Sequence, residues 1–111
     1  MEVGGISAPF GSTRTRVLVL LFLVGSSYPR ELSRLLRQSL SVVQKALAGL
    51  EREGLIAAQT MGRMRLFRVN PRYFARTELE ALLARLADVN SELRARAATV
   101  RRRPRRTGKP L

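Results

Sequence analysis

The hydrophobic and polar positions of the chain change period several times, and they predict a series of helices interrupted by one β-hairpin. Residues 13–24 are apolar on nearly every side, which is typical of a helix at the centre of a core. Residues 30–37 and 40–53 each carry a single apolar stripe with helical spacing. The two stripes consist of Leu32, Leu35 and Leu36, and of Val43, Leu47 and Leu50.

Residues that favour helix ends stand between these segments. Ser12 or Thr13 is placed to cap the first helix, and Pro29 suits the first turn of the second. Ser39 is placed to cap the third helix, and Gly54 to end it. These positions predict three consecutive helices with short connections.

Two short stretches of strand-forming residues follow the third helix. They cover residues 55–60 and 64–69, and Gly62 lies between them. A glycine between two such stretches is typical of a β-hairpin turn. The break before the second helix also has room for a short strand at Tyr28.

The C-terminal part of the chain predicts one long helix over residues 77–100. Its apolar residues follow heptad spacing until Arg96 interrupts them, and so long a helix extends beyond a small core. We therefore predict that this helix forms a dimer; a helix that folds back on its own domain is the alternative. The predicted dimerisation residues are Leu82, Leu86, Val89 and Leu93.

This division places a winged-helix domain at residues 12–76. A flexible arm at residues 1–11 precedes it, and a disordered basic tail at residues 101–111 ends the chain. The predicted fold is therefore α+β and mainly α, a winged helix-turn-helix with a long C-terminal dimerisation helix.

The net charge of the chain indicates the kind of partner that it binds. The 111 residues contain 21 Lys and Arg against 8 Asp and Glu, which gives a formal net charge of +13. Six of these cations lie in the tail, so the rest of the chain has 15 cations against 8 acids and remains basic. Such an excess favours binding to a polyanion, with nucleic acid ahead of an anionic membrane.

The chain contains neither cysteine nor histidine. It therefore lacks the thiolate and imidazole ligands that zinc and copper sites usually need, and we expect neither a metal nor another cofactor. The absence of cysteine also fits a cytoplasmic protein. Residues 17–24 imitate the apolar part of a secretion signal, but they are too short to span a membrane, and we expect no membrane partner.

The helices and hairpin occur in the order of a winged helix, and three segments strengthen that likeness. They read PRELSRLL at 29–36, SLSVVQKALAGLEREGLI at 39–56 and MRLFRVNP at 64–71. The chain thus resembles the ArsR/MarR-like winged-helix regulators over roughly residues 10–86. The resemblance implies a transcriptional regulator that binds specific sequences of double-stranded DNA as a homodimer.

In a winged helix, the third helix enters the major groove and must be narrow near its start. Residues 40–53 fit that role, because two small serines stand at their N-terminal end and are followed by two flexible polar side chains. Gln44 can pair with adenine through two hydrogen bonds, Lys45 can reach guanine or phosphate, and Ser39 with the helix N-terminus can hold a phosphate. The predicted DNA-binding residues of this segment are Ser39, Ser41, Gln44 and Lys45.

The predicted wing, residues 60–69, supplies a second contact. Arg63, Arg65 and Arg68 place positive charge on a hairpin that would lie over the DNA backbone or a minor groove. Charged side chains on an edge strand also protect against aggregation, which is the alternative explanation for them.

Catalysis is not expected. The Phe10-Gly11-Ser12 segment resembles the opening motif of minimal nucleotidyltransferases, but that chemistry needs clustered carboxylates. The close acidic pairs are Glu51 with Glu53 and Glu78 with Glu80, and on a helix their members point apart. Two non-enzymatic alternatives stay open: a winged-helix adaptor for a separately encoded enzyme, and an architectural protein that binds nucleic acid without sequence preference.

Overall fold

The computed structural model describes residues 8–100, which form five helices and one two-stranded antiparallel sheet. This α+β, mainly helical architecture was predicted and is compatible with a winged helix. The predicted tail and the first seven residues of the predicted arm lie outside the described residues. The elements are α1 Ser12–Val24, α2 Pro29–Leu36, α3 Leu40–Arg52, β1 Ile56–Met61, β2 Met64–Val69, α4 Arg76–Asp88 and α5 Ser91–Ala98.

Helix α1 lies at the centre of the core, as its apolar sequence predicts. Five consecutive residues, 17–21, are buried, and the helix packs against the four other helices and against β2. The prediction of a Ser12 or Thr13 cap was wrong. Gly11 occupies the cap position with a φ of 96°, and no side chain of residues 8–100 caps the helix.

Helices α2 and α3 bury the predicted leucine and valine stripes. Ser39 caps α3 as predicted, because its hydroxyl accepts a hydrogen bond from the amide of Val42 at 3.3 Å. At the other end of α3, Gly54 has a φ of 81°, a conformation that glycine adopts without steric cost. The two helices and their turn therefore form as the sequence predicts.

Strands β1 and β2 pair from Ile56 opposite Val69 to Met61 opposite Met64, and Gly62 supplies the positive φ of the turn. The predicted strand at Tyr28 is reduced to a single bridge one residue earlier. The amide of Ser27 donates to the carbonyl of Phe67 at 3.0 Å, and the carbonyl of Ser27 accepts from the amide of Phe67 at 2.7 Å. This bridge fixes the hairpin to the segment that precedes α2.

The Ser27 side chain also supports a buried carboxylate. Its hydroxyl donates to Glu31 Oε1 at 2.6 Å, and only 5% of Glu31 is exposed. Because a buried charged group is costly when it loses a hydrogen bond, we expect Ser27→Ala to lower the free energy of unfolding by about 1–3 kcal/mol. Urea denaturation would measure the loss. The neighbouring Ser26→Ala serves as the matched control, and equal effects of the two variants would contradict this role of the hydroxyl.

The predicted helix over residues 77–100 was wrong in its length. Helix α4 ends at Asp88, and α5 begins at Ser91 after Asn90, whose side-chain oxygen accepts from the amide of Leu93 at 3.1 Å. Asn90 therefore caps a new helix, and α5 packs against α1. The C-terminal segment covers the core of its own chain.

This break also corrects the predicted dimerisation seam. Leu86 and Leu93 are 6% and 0% exposed, because both pack into the core of the same chain. Leu82 and Val89 are 38% and 61% exposed. The four residues do not form one seam: two belong to the core and two to the surface.

Arg96, which interrupts the heptad pattern, joins two helices. Its guanidinium donates to the carbonyl of Leu35 at 2.9 Å and forms an ion pair with Glu92. Leu35 lies in the last turn of α2, where carbonyl groups lack partners within the helix and attract positive charge. Arg96 thereby fixes α5 to the end of α2.

Candidate nucleic-acid interface

All of the side chains predicted to contact DNA are exposed. Those on α3 are exposed because the residues at positions 43, 47 and 50 turn the opposite side of the helix into the core. Those on the hairpin lie at its turn and along β2. The exposed set comprises Ser39, Ser41, Gln44, Lys45, Arg63, Arg65 and Arg68.

The N-terminus of α3 presents hydrogen-bond donors to solvent. The Ser39 and Ser41 hydroxyl oxygens are 3.3 Å apart. The amides of Leu40 and Ser41 donate no hydrogen bond to any residue in the described range. Amides at the start of a helix combine with its dipole to attract phosphate oxygens. This end of α3 therefore has the chemistry of a phosphate contact.

A groove of about 520 Å³ separates α3 from the hairpin, and it brings together predicted residues from both elements. Gln44 lies on its α3 wall, while Arg63 and Arg65 lie on its hairpin wall. Arg30, from the first turn of α2, adds a third guanidinium. The other residues that line the groove are Tyr28, Pro29, Leu40, Leu47, Ala48, Glu51, Met64 and Phe67.

One ion pair crosses this groove and joins its walls. Arg65 Nη2 lies 2.7 Å from Glu51 Oε2, and the same guanidinium lies 5.1 Å from the centre of the Phe67 ring. Both charged side chains are partly exposed, so the pair adds little to stability. It joins the two walls of the groove and neutralises part of the charge of Arg65.

Four of the seven predicted residues do not line the groove: Ser39, Ser41, Lys45 and Arg68. Successive side chains of a strand point to opposite faces, so Arg68 lies on the other face of the hairpin from Arg65 and Phe67. Lys45 is exposed on α3 but does not line the groove. A ligand in the groove would therefore contact Gln44, Arg63 and Arg65 before the other four.

Arg30 and Glu51 are the residues of this site that the sequence prediction missed. Glu51 follows Gln44 by seven residues and Ala48 by three, a spacing that places all three on one helix face. That signal was available in the sequence. Arg30 directly follows Pro29, the first residue of α2, but only the bridge between Ser27 and Phe67 brings this helix start beside the hairpin.

The described part of the chain carries fifteen cations against seven acids. Among the groove-lining residues the balance is three arginines against one glutamate. Within residues 8–100, no three acidic side chains lie close enough together to hold a metal ion. No helix in the same range is both long enough and apolar enough to cross a membrane.

The groove is thus a positively charged cleft between the exposed face of one helix and a hairpin, with polar side chains on both walls. Comparison of the chain with models of protein families, with curated proteins and with solved structures finds no significant match.

Proposed function

We propose that this chain is a transcriptional regulator that binds specific sequences of double-stranded DNA through α3 and the β-hairpin. The observation that supports this most is the groove between them, because it gathers Arg30, Arg63 and Arg65 beside Gln44. Guanidinium groups that line a groove beside the exposed face of a helix suit a ligand that places phosphates along that flank of the helix.

In this proposal α3 enters the major groove with its N-terminal half. Gln44 can pair with adenine through its amide, which offers both a donor and an acceptor. Lys45, on the adjoining part of the exposed face, reaches a guanine or a phosphate. Ser39, Ser41 and the free amides at the helix start bind the backbone and set the depth of entry.

The hairpin binds beside α3, with Arg63 at its turn reaching the backbone or the minor groove. Arg65 gives less charge to this contact, since Glu51 already pairs with it. Arg30 binds the backbone from the start of α2. The cations thus fix the position of the protein on DNA, and Gln44 reads the bases.

A homodimer would present two copies of α3 to one DNA duplex. In a two-fold arrangement the copies would lie about 34 Å apart, one turn of the double helix, and the site would be a pseudo-palindrome. The dimer is part of the proposal.

The proposal is tested by selecting bound duplexes from a random pool with the full chain and sequencing them. We expect a pseudo-palindromic sequence to be enriched. Because one good bidentate contact contributes about 1–3 kcal/mol of discrimination, Gln44→Ala should relax the preference at one position of each half-site by roughly tenfold. The preference elsewhere in the site should stay unchanged.

Deletion of residues 101–111 is the matched control, since it removes six cations but none of the proposed base contacts. It should weaken binding to all sequences alike and leave the selected sequence unchanged. A pool with no enriched sequence, bound only by the chain that keeps its tail, would contradict the proposal and favour an architectural binder. No binding to duplex DNA at all would favour a protein adaptor.

A further inference from the structure

We infer that the exposed face of α4 binds the same face of a second copy of this chain, with the two helices antiparallel. The face consists of Glu78, Ala81, Leu82 and Arg85, and Phe74 and Val89 extend it beyond the two ends of the helix. This surface differs from the seam predicted from the sequence, because it omits Leu86 and Leu93 and includes Phe74.

The α4 face has exposed apolar side chains at its centre and at both ends. Phe74 is 91% exposed, and its ring stacks in a tilted arrangement on Tyr73, with 5.0 Å between the ring centres. Leu82 and Val89 are also exposed, and Ala81 lies beside Leu82. Large apolar side chains that line up on one exposed helix face are typical of a protein contact.

The residues of the face are spaced symmetrically about positions 81 and 82. Because a two-fold pair of identical helices needs this symmetry, a second copy of the chain is the partner that we infer. Glu78 lies three residues before Ala81, and Arg85 lies three residues after Leu82. Phe74 and Val89 lie seven residues before and after the same two positions. An antiparallel pair centred between positions 81 and 82 therefore sets Phe74 opposite Val89, Glu78 opposite Arg85 and Ala81 opposite Leu82 of the partner.

The charges on this face suit that register. Glu78 and Arg85 are two helical turns apart, about 10 Å, and neither side chain forms an ion pair or hydrogen bond within the described residues. In the antiparallel pair each of them faces the opposite charge on the second copy, so the Glu78–Arg85 pair occurs twice, once on each side of the two-fold axis. The small Ala81 at the axis lets the two helices approach closely.

The test is sedimentation equilibrium of the full chain without DNA. We expect a dimer for the natural sequence. Glu78→Arg and Arg85→Glu each bring like charges together at both ends of the pair, so each should raise the dimer dissociation constant at least about tenfold. Arg94→Glu, the same charge change on an exposed position of α5, is the matched control and should dimerise normally.

Mixing the two weakened variants tests the antiparallel register of the two helices. When Glu78→Arg is mixed with Arg85→Glu, every facing pair has opposite charges again, and a heterodimer should form with the stability of the natural dimer. The chain with both substitutions should also form a dimer. Phe74→Ala, which changes no charge, should weaken the dimer as well.

A chain that stays monomeric at every soluble concentration would overturn the inference, and so would single variants that dimerise normally. Failure of the mixed variants to recombine would overturn the antiparallel register. The result is separable from DNA binding, because Gln44→Ala lies on α3 and should dimerise like the natural chain.

Discussion

Replacement of Leu93 by alanine is expected to lower the free energy of unfolding by about 2–5 kcal/mol. Leu93 is fully buried and packs, from α5, into the core that surrounds α1. The truncation removes apolar contacts and leaves a cavity that the surrounding side chains fill only in part. A small domain has only about 5–15 kcal/mol of stability, so the urea midpoint should fall visibly.

Leu82→Ala is the matched control, because it makes the same chemical change on the exposed face of α4. Measured at protein concentrations where both variants are monomeric, it should cost less than about 1 kcal/mol. If Leu93→Ala left the monomer as stable as Leu82→Ala does, α5 would not be part of the core. The C-terminal segment would then be free to form the continuous dimerisation helix that its heptad spacing first indicated.

Simultaneous replacement of Arg30 and Arg63 by alanine is expected to weaken DNA binding about 50-fold at roughly 0.1 M salt. Each guanidinium that meets a phosphate releases about one counterion and contributes about 0.9 to the slope of log K against log salt. Removal of two such contacts should make that slope shallower by about two. Fluorescence anisotropy of a labelled duplex across a salt series measures both quantities.

The control for this pair is the double variant Arg76→Ala and Arg94→Ala, which removes the same charge from α4 and α5. Because these arginines do not line the groove, the slope of log K against log salt should change little in this control. Equal losses in the two double variants would mean that DNA senses only the net charge of the chain. The groove between α3 and the hairpin would then have no special role in binding.

Much of the fold could be predicted from the sequence, because local signals decide it. Helix ends are marked by Ser39, Pro29 and Gly54, and the hairpin turn is marked by Gly62. The apolar stripe of α3 indicates which side of that helix faces the core. Each of these signals acts within a few residues of where it stands. The boundaries of α2 and α3 accordingly differ from the prediction by a single residue at most.

The C-terminal segment could not be read in this way. Leucines at heptad spacing describe a helix that needs a partner, but not whether the partner is a second chain or the core of the same chain. Asn90 decides the matter, because its side chain caps a new helix and allows α5 to turn back onto α1. The local signal at Asn90 was weaker than the heptad repeat that surrounds it.

The candidate site shows the same division. The exposure of Gln44 follows from the helical period, and the placement of Arg63 from the hairpin turn. Arg30 joins the groove only because Ser27 pairs with Phe67 across 40 residues of chain. The ion pair of Glu51 with Arg65 also depends on that arrangement, since it links α3 to a strand whose distance from the helix no local pattern specifies.

The most direct measurement is the change in backbone amide NMR signals of the full chain when a selected DNA duplex is added. The account predicts that the largest shifts fall on residues 39–48, on the start of α2 and on the hairpin turn around Arg63. The exposed face of α4 should change little. Shifts confined to residues 101–111, or centred on α4, would contradict the claim that α3 and the hairpin bind DNA together.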